Sequence, residues 1–233
     1  MNAYKQLLVY DFDNTIVDGF SDFHAVNLIK DKFRKAEILA KYGKSSWLEV
    51  MQEVFLELKR QNIDATLVKN AVSNCKINEG FMDLFEYVNN NQNYYDSMIV
   101  SGANSLFINW IMERYKQQIA LFALPSNIEE DSFIKVDKMH EHNCNLCSFE
   151  QCKKKVISEF LENSKNTYRN IIFIGDGHND YCPAVWLKET DYILPREKYV
   201  LHKMILDNPS KIISKVNPWK AGHDILRFLQ KIR

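Results

Sequence analysis

Two short acidic segments carry residue types suited to phosphoryl chemistry. Asp11-Phe12-Asp13-Asn14-Thr15 follows the apolar run Gln6–Tyr10 directly. Phosphoryl transfer needs an in-line nucleophile, a cation on the equatorial oxygens and a proton for the leaving oxygen. A carboxylate can attack and form an aspartyl-phosphate. Asp11 and Asp13, two residues apart where a strand turns, can reach one point, so that one attacks while the other handles the proton. The second segment, Gly175-Asp176-Gly177-His178-Asn179-Asp180, follows the apolar run Ile171–Ile174. Its glycines permit a tight turn and close ligand approach, and its carboxylates are the hard oxygen ligands magnesium prefers. Taken singly, each segment has a plainer reading as a solvated acidic turn. Together they place four carboxylates at two strand ends, a grouping that repels itself without a cation.

Weaker candidates stand beside these. Ser101 ends the run Asp96–Val100, where its hydroxyl and the next N–H groups could hold a phosphate oxygen, although a serine there commonly just caps a helix. Lys153, Lys154 and Lys155 open an amphipathic stretch, and one of them could offset charge on a phosphoryl group. His140, His142, Cys144, Cys147 and Cys152 form a separate group. Cys144 and Cys147 have zinc-ligand spacing, but the usual second pair about 12–20 residues on is absent. The group is therefore read as a compact loop with free thiols, and no stoichiometric zinc is expected.

The elements that must position these residues follow from periodicity. Gln6–Tyr10, Asp96–Val100 and Ile171–Ile174 are short apolar runs suited to buried parallel strands, with Ile119–Ala123 and Asp191–Leu194 as weaker ones. Ligands in open α/β sheets bind beyond the carboxyl ends of the strands. Between the first two runs, Phe23, Val26, Ile29, Lys30 and Phe33, and then Trp47, Val50, Met51, Val54, Phe55 and Leu58, show helical spacing. This predicts a helical cap over residues 18–78, with the core formed by 1–17 and 79–233. Lys153–Leu161 and Gly222–Ile232 are expected to be amphipathic helices on the sheet.

The 233 residues suit one domain with an insertion. Thirty basic residues balance thirty acidic ones, which gives no sign of a nucleic-acid or membrane-surface partner. No apolar run is long enough to span a bilayer, and the stretch before Asp11 is too short and too soon charged for a signal peptide. A cytoplasmic protein is expected. Five cysteines cannot all pair within one chain.

In order, D-x-D-x-T, Ser, Lys and G-D-G-x-N-D resemble the haloacid dehalogenase superfamily of phosphatases. The stretches VYDFDNTIVDGFSD, VSGANSLFINW, HNCNLCSFEQCKKKVISEFL, IGDGHNDYCPA and VNPW resemble its branch of phosphoethanolamine/phosphocholine and pyridoxal phosphate phosphatases. The resemblance implies a Rossmann-like α/β fold, a doubly wound parallel sheet with a small helical cap after the first strand. It implies Asp11 as nucleophile and Asp13 as acid and then base. Magnesium would be held by Asp11, the Asp13 carbonyl and Asp176, and the phosphoryl group by Ser101 and Lys153. Asn179 and Asp180 would support from nearby. The branch usually has Asp after the motif serine, where this chain has Gly102. That removes an acid able to pair with a cationic head group and leaves Asp22 as a possible contact. With Phe20, Phe23, His24 and Trp47 in the cap, pyridoxal 5′-phosphate is the expected substrate. Phosphoethanolamine or phosphocholine hydrolysis and a non-catalytic binding role are the alternatives.

Overall fold

The computed structural model describes residues 5–233. Residues 1–4, part of the stretch read above against a signal peptide, lie outside it. In chain order come β1 (Lys5–Tyr10), α1 (Asp22–Val26), α2 (Lys32–Leu39), α3 (Trp47–Arg60), α4 (Ala65–Val72) and α5 (Phe81–Asn89). Then follow β2 (Tyr95–Asn104), α6 (Ser105–Arg114), β3 (Ala120–Leu124), β4 (Ser126–Ile128), β5 (Ile134–Val136), α7 (Lys153–Asn163) and β6 (Tyr168–Gly175). The chain ends with α8 (Tyr181–Trp186), β7 (Tyr192–Pro195), α9 (Val200–Asp207), β8 (Lys215–Val216) and α10 (Gly222–Ile232).

Six strands form a parallel sheet in the order β3-β2-β1-β6-β7-β8. The chain steps outward from β1 through β2 to β3, returns to β6 on the other side of β1, and steps outward again. The reversal makes the carboxyl end of β1 the topological switch point, where such sheets bind ligands. Tyr10 lies opposite both Ile99 and Ile174, so the segments that follow the three residues lie at the same end of the sheet.

The sheet is covered on both faces, which is why its strands read as unbroken apolar runs. Leu8, Tyr10, Ile172 and Ile174 pack on one side with Phe81, Phe85, Trp219 and Ile225. Leu7, Val9, Ile171 and Phe173 pack on the other with Val156, Ile157, Ala184 and Leu201. On the first side α5 and α10 cross closely. A Cβ on Gly222 would lie 2.4 Å from the Gly80 carbonyl carbon, and Gly80 has φ +77°. Both positions need glycine.

All five expected strands form. The small antiparallel pair β4–β5 and the edge strand β8 were not anticipated, being only three and two residues long. β2 does not stop at Ser101-Gly102 but continues to Asn104, with its register to β3 broken between Val100 and Asn104. The expected helix through Phe33 is interrupted. Asp31 caps a new helix by accepting from the Phe33 and Arg34 N–H groups, which leaves Phe33 exposed. α3 begins as its spacing predicts, closed by a reciprocal Ser46–Glu49 capping box. Residues 18–78 hold α1–α4, and the two ends of this insertion are paired: Asp18 N–H donates to the Lys76 carbonyl and Asn78 N–H to the Ile16 carbonyl, each at 2.8 Å. α3 also packs on β5, and α4 on α6.

Candidate active site

Asp11 follows β1 and is tied to the neighbouring strand by its N–H, which donates to the Ile174 carbonyl at 2.9 Å. The chain then turns. Asn14 has φ +54°, a left-handed conformation that asparagine tolerates better than most residues. The turn is braced from below. Arg196 donates to the Asn14 carbonyl at 2.5 Å and to Asn78 Oδ1 at 3.2 Å, while Asn78 Nδ2 donates to the Thr15 and Val17 carbonyls at 2.7 and 3.0 Å. The Arg196 guanidinium lies over the rings of Tyr199 and Trp219, and the buried Trp219 donates its Nε1–H to the Leu194 carbonyl. Arg196 and Asn78 were not found by reading the sequence. The VNPW tail was the available signal, but nothing in it says that Trp219 carries an arginine.

Lys153 is the central cation. It is almost fully buried, and its Nζ donates to Asp11 Oδ1 at 2.5 Å and to Asp180 Oδ1 at 2.6 Å. Burial alone would lower its pKa, but the two carboxylates outweigh burial and hold it above the usual lysine value. Lys155 instead points outward to Glu159 on the helix surface. The other oxygen of Asp180 accepts from the Asp176 and Gly177 N–H groups at 3.0 and 2.9 Å. Asp180 thus joins the lysine to the glycine-rich turn. A Cβ on Gly175 would lie 2.4 Å from Asp180 Oδ2, so this close approach requires the glycine.

Asp13 Oδ1 accepts from the Ser21 N–H at 2.9 Å. Burial first, and then the nearby Asp22 carboxylate, raise its pKa to about 8. Asp22 is itself buried, accepting from Trp47 Nε1 at 2.7 Å and from Asn104 Nδ2 at 3.5 Å, and burial lifts its pKa to about 6. The tryptophan and asparagine partners were not foreseen. Trp47 joins Phe23 and Phe20 in an aromatic row with ring centroids about 6 Å apart, and Phe20 and Phe23 are exposed.

Ser101 is buried and is not a helix cap. Its Oγ accepts from the Ala103 N–H at 3.1 Å, and Asn104 caps α6 by accepting from the Phe107 N–H. Gly102 lies beside Asn179, whose Nδ2 would be 3.6 Å from a Cβ there. The strand ends therefore gather Asp11, Asp13, Asp176, Asp180 and Lys153 with Ser101, Gly102, Asn179 and Asp22 around them.

One carboxylate oxygen from each of Asp11, Asp176 and Asp180 lies within 4.8 Å of the other two. Burial first, and then Asp11 and Asp180, raise the Asp176 pKa to about 9. Three buried hard-oxygen donors facing one lysine leave negative charge to be balanced, which fits a small divalent cation such as magnesium.

The family model described as "Putative Phosphatase" matches residues 6–233. The chain is 34% identical over 235 residues to the pyridoxal phosphate phosphatase PHOSPHO2 of Mus musculus, covering 97% of this chain and 98% of that protein. It is 27% identical to the phosphoethanolamine/phosphocholine phosphatase of Gallus gallus, covering 98% and 89%. In fold it is similar to a substrate-bound phosphoserine phosphatase, with a TM-score of 0.63 at 16% identity, covering 97% of this chain and 99% of that one. Among the described residues no helix is long and apolar enough to cross a membrane. With its six-stranded parallel sheet, its acidic strand ends and a family match over nearly its whole length, the chain belongs to this phosphatase family.

Proposed function

We propose that the chain is a magnesium-dependent phosphatase of small phosphate monoesters, acting through an aspartyl-phosphate on Asp11, with pyridoxal 5′-phosphate as its preferred substrate. The observation that carries this is the contact of buried Lys153 with both Asp11 and Asp180. It puts one cation beside the nucleophile and the acidic turn, where a phosphoryl group would lie. An Asp11 oxygen attacks phosphorus as the ester P–O bond breaks, and Asp13 gives its proton to the leaving oxygen. Asp13 then takes a proton from a water that attacks the same phosphorus, which frees inorganic phosphate and restores Asp11. A half-buried carboxyl beside a second acid suits the first role, because it holds its proton near neutral pH. Asp11, Asp176 and the Asp13 carbonyl would hold magnesium, which offsets phosphate charge when bound. Lys153 and the Ser101 hydroxyl would hold the phosphoryl oxygens, and Asp180 keeps the lysine in place.

The aromatic row Phe20, Phe23 and Trp47 supports a planar ring as the rest of the substrate. Gly102 offers no acid to an ammonium group. Asp22 supports the second reading, an amine substrate, but both of its oxygens already accept from Trp47 and Asn104. The test is phosphate release from p-nitrophenyl phosphate, pyridoxal phosphate, phosphoethanolamine and phosphocholine, with magnesium and with a chelator. The expected result is magnesium-dependent turnover, with the highest kcat/KM on pyridoxal phosphate. Phosphoethanolamine turned over ten times better would overturn the substrate assignment. No turnover of any of the four would overturn the enzymatic reading.

A further inference from the structure

Four of the five cysteines meet. Cys144 and Cys147 lie on the loop between β5 and α7, Cys152 immediately precedes α7, and Cys182 lies in the first turn of α8. Their four sulfurs all lie within 4.8 Å of one another. Cys182 Sγ is 3.4 Å from Cys144 Sγ and 3.9 Å from Cys152 Sγ. All are free thiols, well beyond the roughly 2.05 Å of a disulfide bond. Around a tetrahedral zinc with Zn–S bonds of about 2.3 Å, neighbouring sulfurs stand about 3.8 Å apart. The second pair missing from the sequence spacing is Cys152 with Cys182, thirty residues apart and joined only by the fold.

A further observation points the same way, because metal ligands are held in place by partners outside the coordination shell. The histidines grouped with the cysteines by sequence act from outside. His140 Nε2 accepts from the Cys152 N–H at 3.0 Å, and His142 Nδ1 from the Cys144 N–H at 3.2 Å. His142 Nε2 then donates to the Ser148 carbonyl at 2.8 Å. Both rings therefore fix the backbone of two of the cysteines.

We propose that Cys144, Cys147, Cys152 and Cys182 hold one structural zinc ion that fastens the start of α7 to the start of α8. Four protein ligands close the site, as in structural rather than catalytic zinc centres. Binding converts the thiols to thiolates and releases their protons to solvent. Cys152 immediately precedes Lys153, and Cys182 stands two residues after Asp180. The ion thereby fixes from behind the two residues whose side chains meet at 2.6 Å in the acid cluster. The site stands on the thiol geometry and is independent of the phosphatase reading.

The test is the metal content of the unmutated protein, purified without added metal and measured by plasma mass spectrometry. One zinc per chain is expected, with no iron. An organomercurial titrated into that protein should release the zinc as the thiols react, a readout that needs no variant to fold. Cobalt exchanged for zinc should show the thiolate charge-transfer bands of a tetrahedral site. Cys144→Ser and Cys147→Ser should each lose most of the metal, and Cys75→Ala, whose thiol is buried elsewhere, should keep it. Protein free of zinc, protein holding iron in its place, or a Cys144–Cys182 disulfide found under anaerobic purification would each overturn the proposal.

Discussion

Acid and thiol clusters lie on either side of Cys152-Lys153, and the two are built from opposite chemistries. Asp11, Asp176 and Asp180 offer hard oxygens, are buried at the switch point of the sheet, and share one lysine. Cys144, Cys147, Cys152 and Cys182 offer soft sulfur, and the backbone N–H groups of Cys144 and Cys152 are held by His142 and His140. A hard cation that keeps exchangeable waters suits catalysis, whereas a closed sulfur cage suits a fastening. The difference teaches that one helix start can serve two centres, presenting Lys153 to one and the cysteine just before it to the other.

The sharpest way to break this comparison is to remove the nucleophile. Asp11→Asn should abolish turnover while the fold and the thiol cluster stay intact. Loss of a covalent nucleophile typically costs about 10⁶ in rate, which sets the scale. More than a few per cent of residual activity, measured as phosphate release, would contradict the covalent route.

Next comes Lys153. Lys153→Met removes the charge between two buried carboxylates and should lower kcat/KM by about 10²–10³-fold. It should also destabilise the metal-free protein by about 3–5 kcal/mol, because the carboxylates lose their partner. Lys153→Arg should recover more stability than activity, since the guanidinium keeps the charge but not the ammonium's point of contact. Denaturant melts beside initial rates separate the two effects.

Substrate choice is a smaller matter. Gly102→Asp introduces an acid where a Cβ meets only Asn179 Nδ2 at ordinary contact distance. Up to about fivefold improvement in phosphoethanolamine kcat/KM is expected, the scale of an ion pair of ~0–1 kcal/mol. An unchanged ratio to pyridoxal phosphate would remove Gly102 from the specificity account.

The smallest effect lies at the opposite end of the sheet. Asp96 accepts from Lys5 at 2.7 Å, Asn166 at 2.7 Å and Tyr168 at 2.9 Å. Burial pushes its pKa up, but these partners outweigh burial and leave it below the usual carboxylate value. A carboxylate lowered in the folded state adds stability above its unfolded pKa, and that stability is lost as pH falls through the folded value. The group is partly exposed, so Asp96→Asn should cost only ~0–1 kcal/mol near neutral pH and less in acid. Turnover should not change. Urea melts at several pH values read the first expectation and initial rates the second.

The acid cluster was legible because Asp11 and Asp176 stand just past the ends of apolar runs, with Asp180 in the same glycine-rich turn as Asp176. A strand buried on both faces marks itself in sequence, and Asp11, Ser101 and Asp176 are the polar residues that follow. Lys153 was harder, since three lysines stand in a row and only the helix start chooses among them. The thiol cluster was half legible. Cys144 and Cys147 announce themselves by spacing, but Cys182 belongs to another strand–helix unit, and no local pattern ties it to them. Asp22 was foreseen as a contact to substrate, yet its bonds to Trp47 and Asn104 depend on how the inserted helices meet β2. The helix through Phe33 was misjudged because apolar spacing continued across the Asp31 cap.

The central claim is that Asp11 carries the phosphoryl group between substrate and water. Acid quenching during turnover of pyridoxal phosphate, reduction with borohydride and peptide mapping would locate it, since an aspartyl-phosphate is reduced to homoserine. Homoserine at position 11 alone, and none in Asp11→Asn, is the result predicted. Homoserine at Asp13 or Asp176, or a phosphoryl group on Ser101 or a histidine during full turnover, would contradict it.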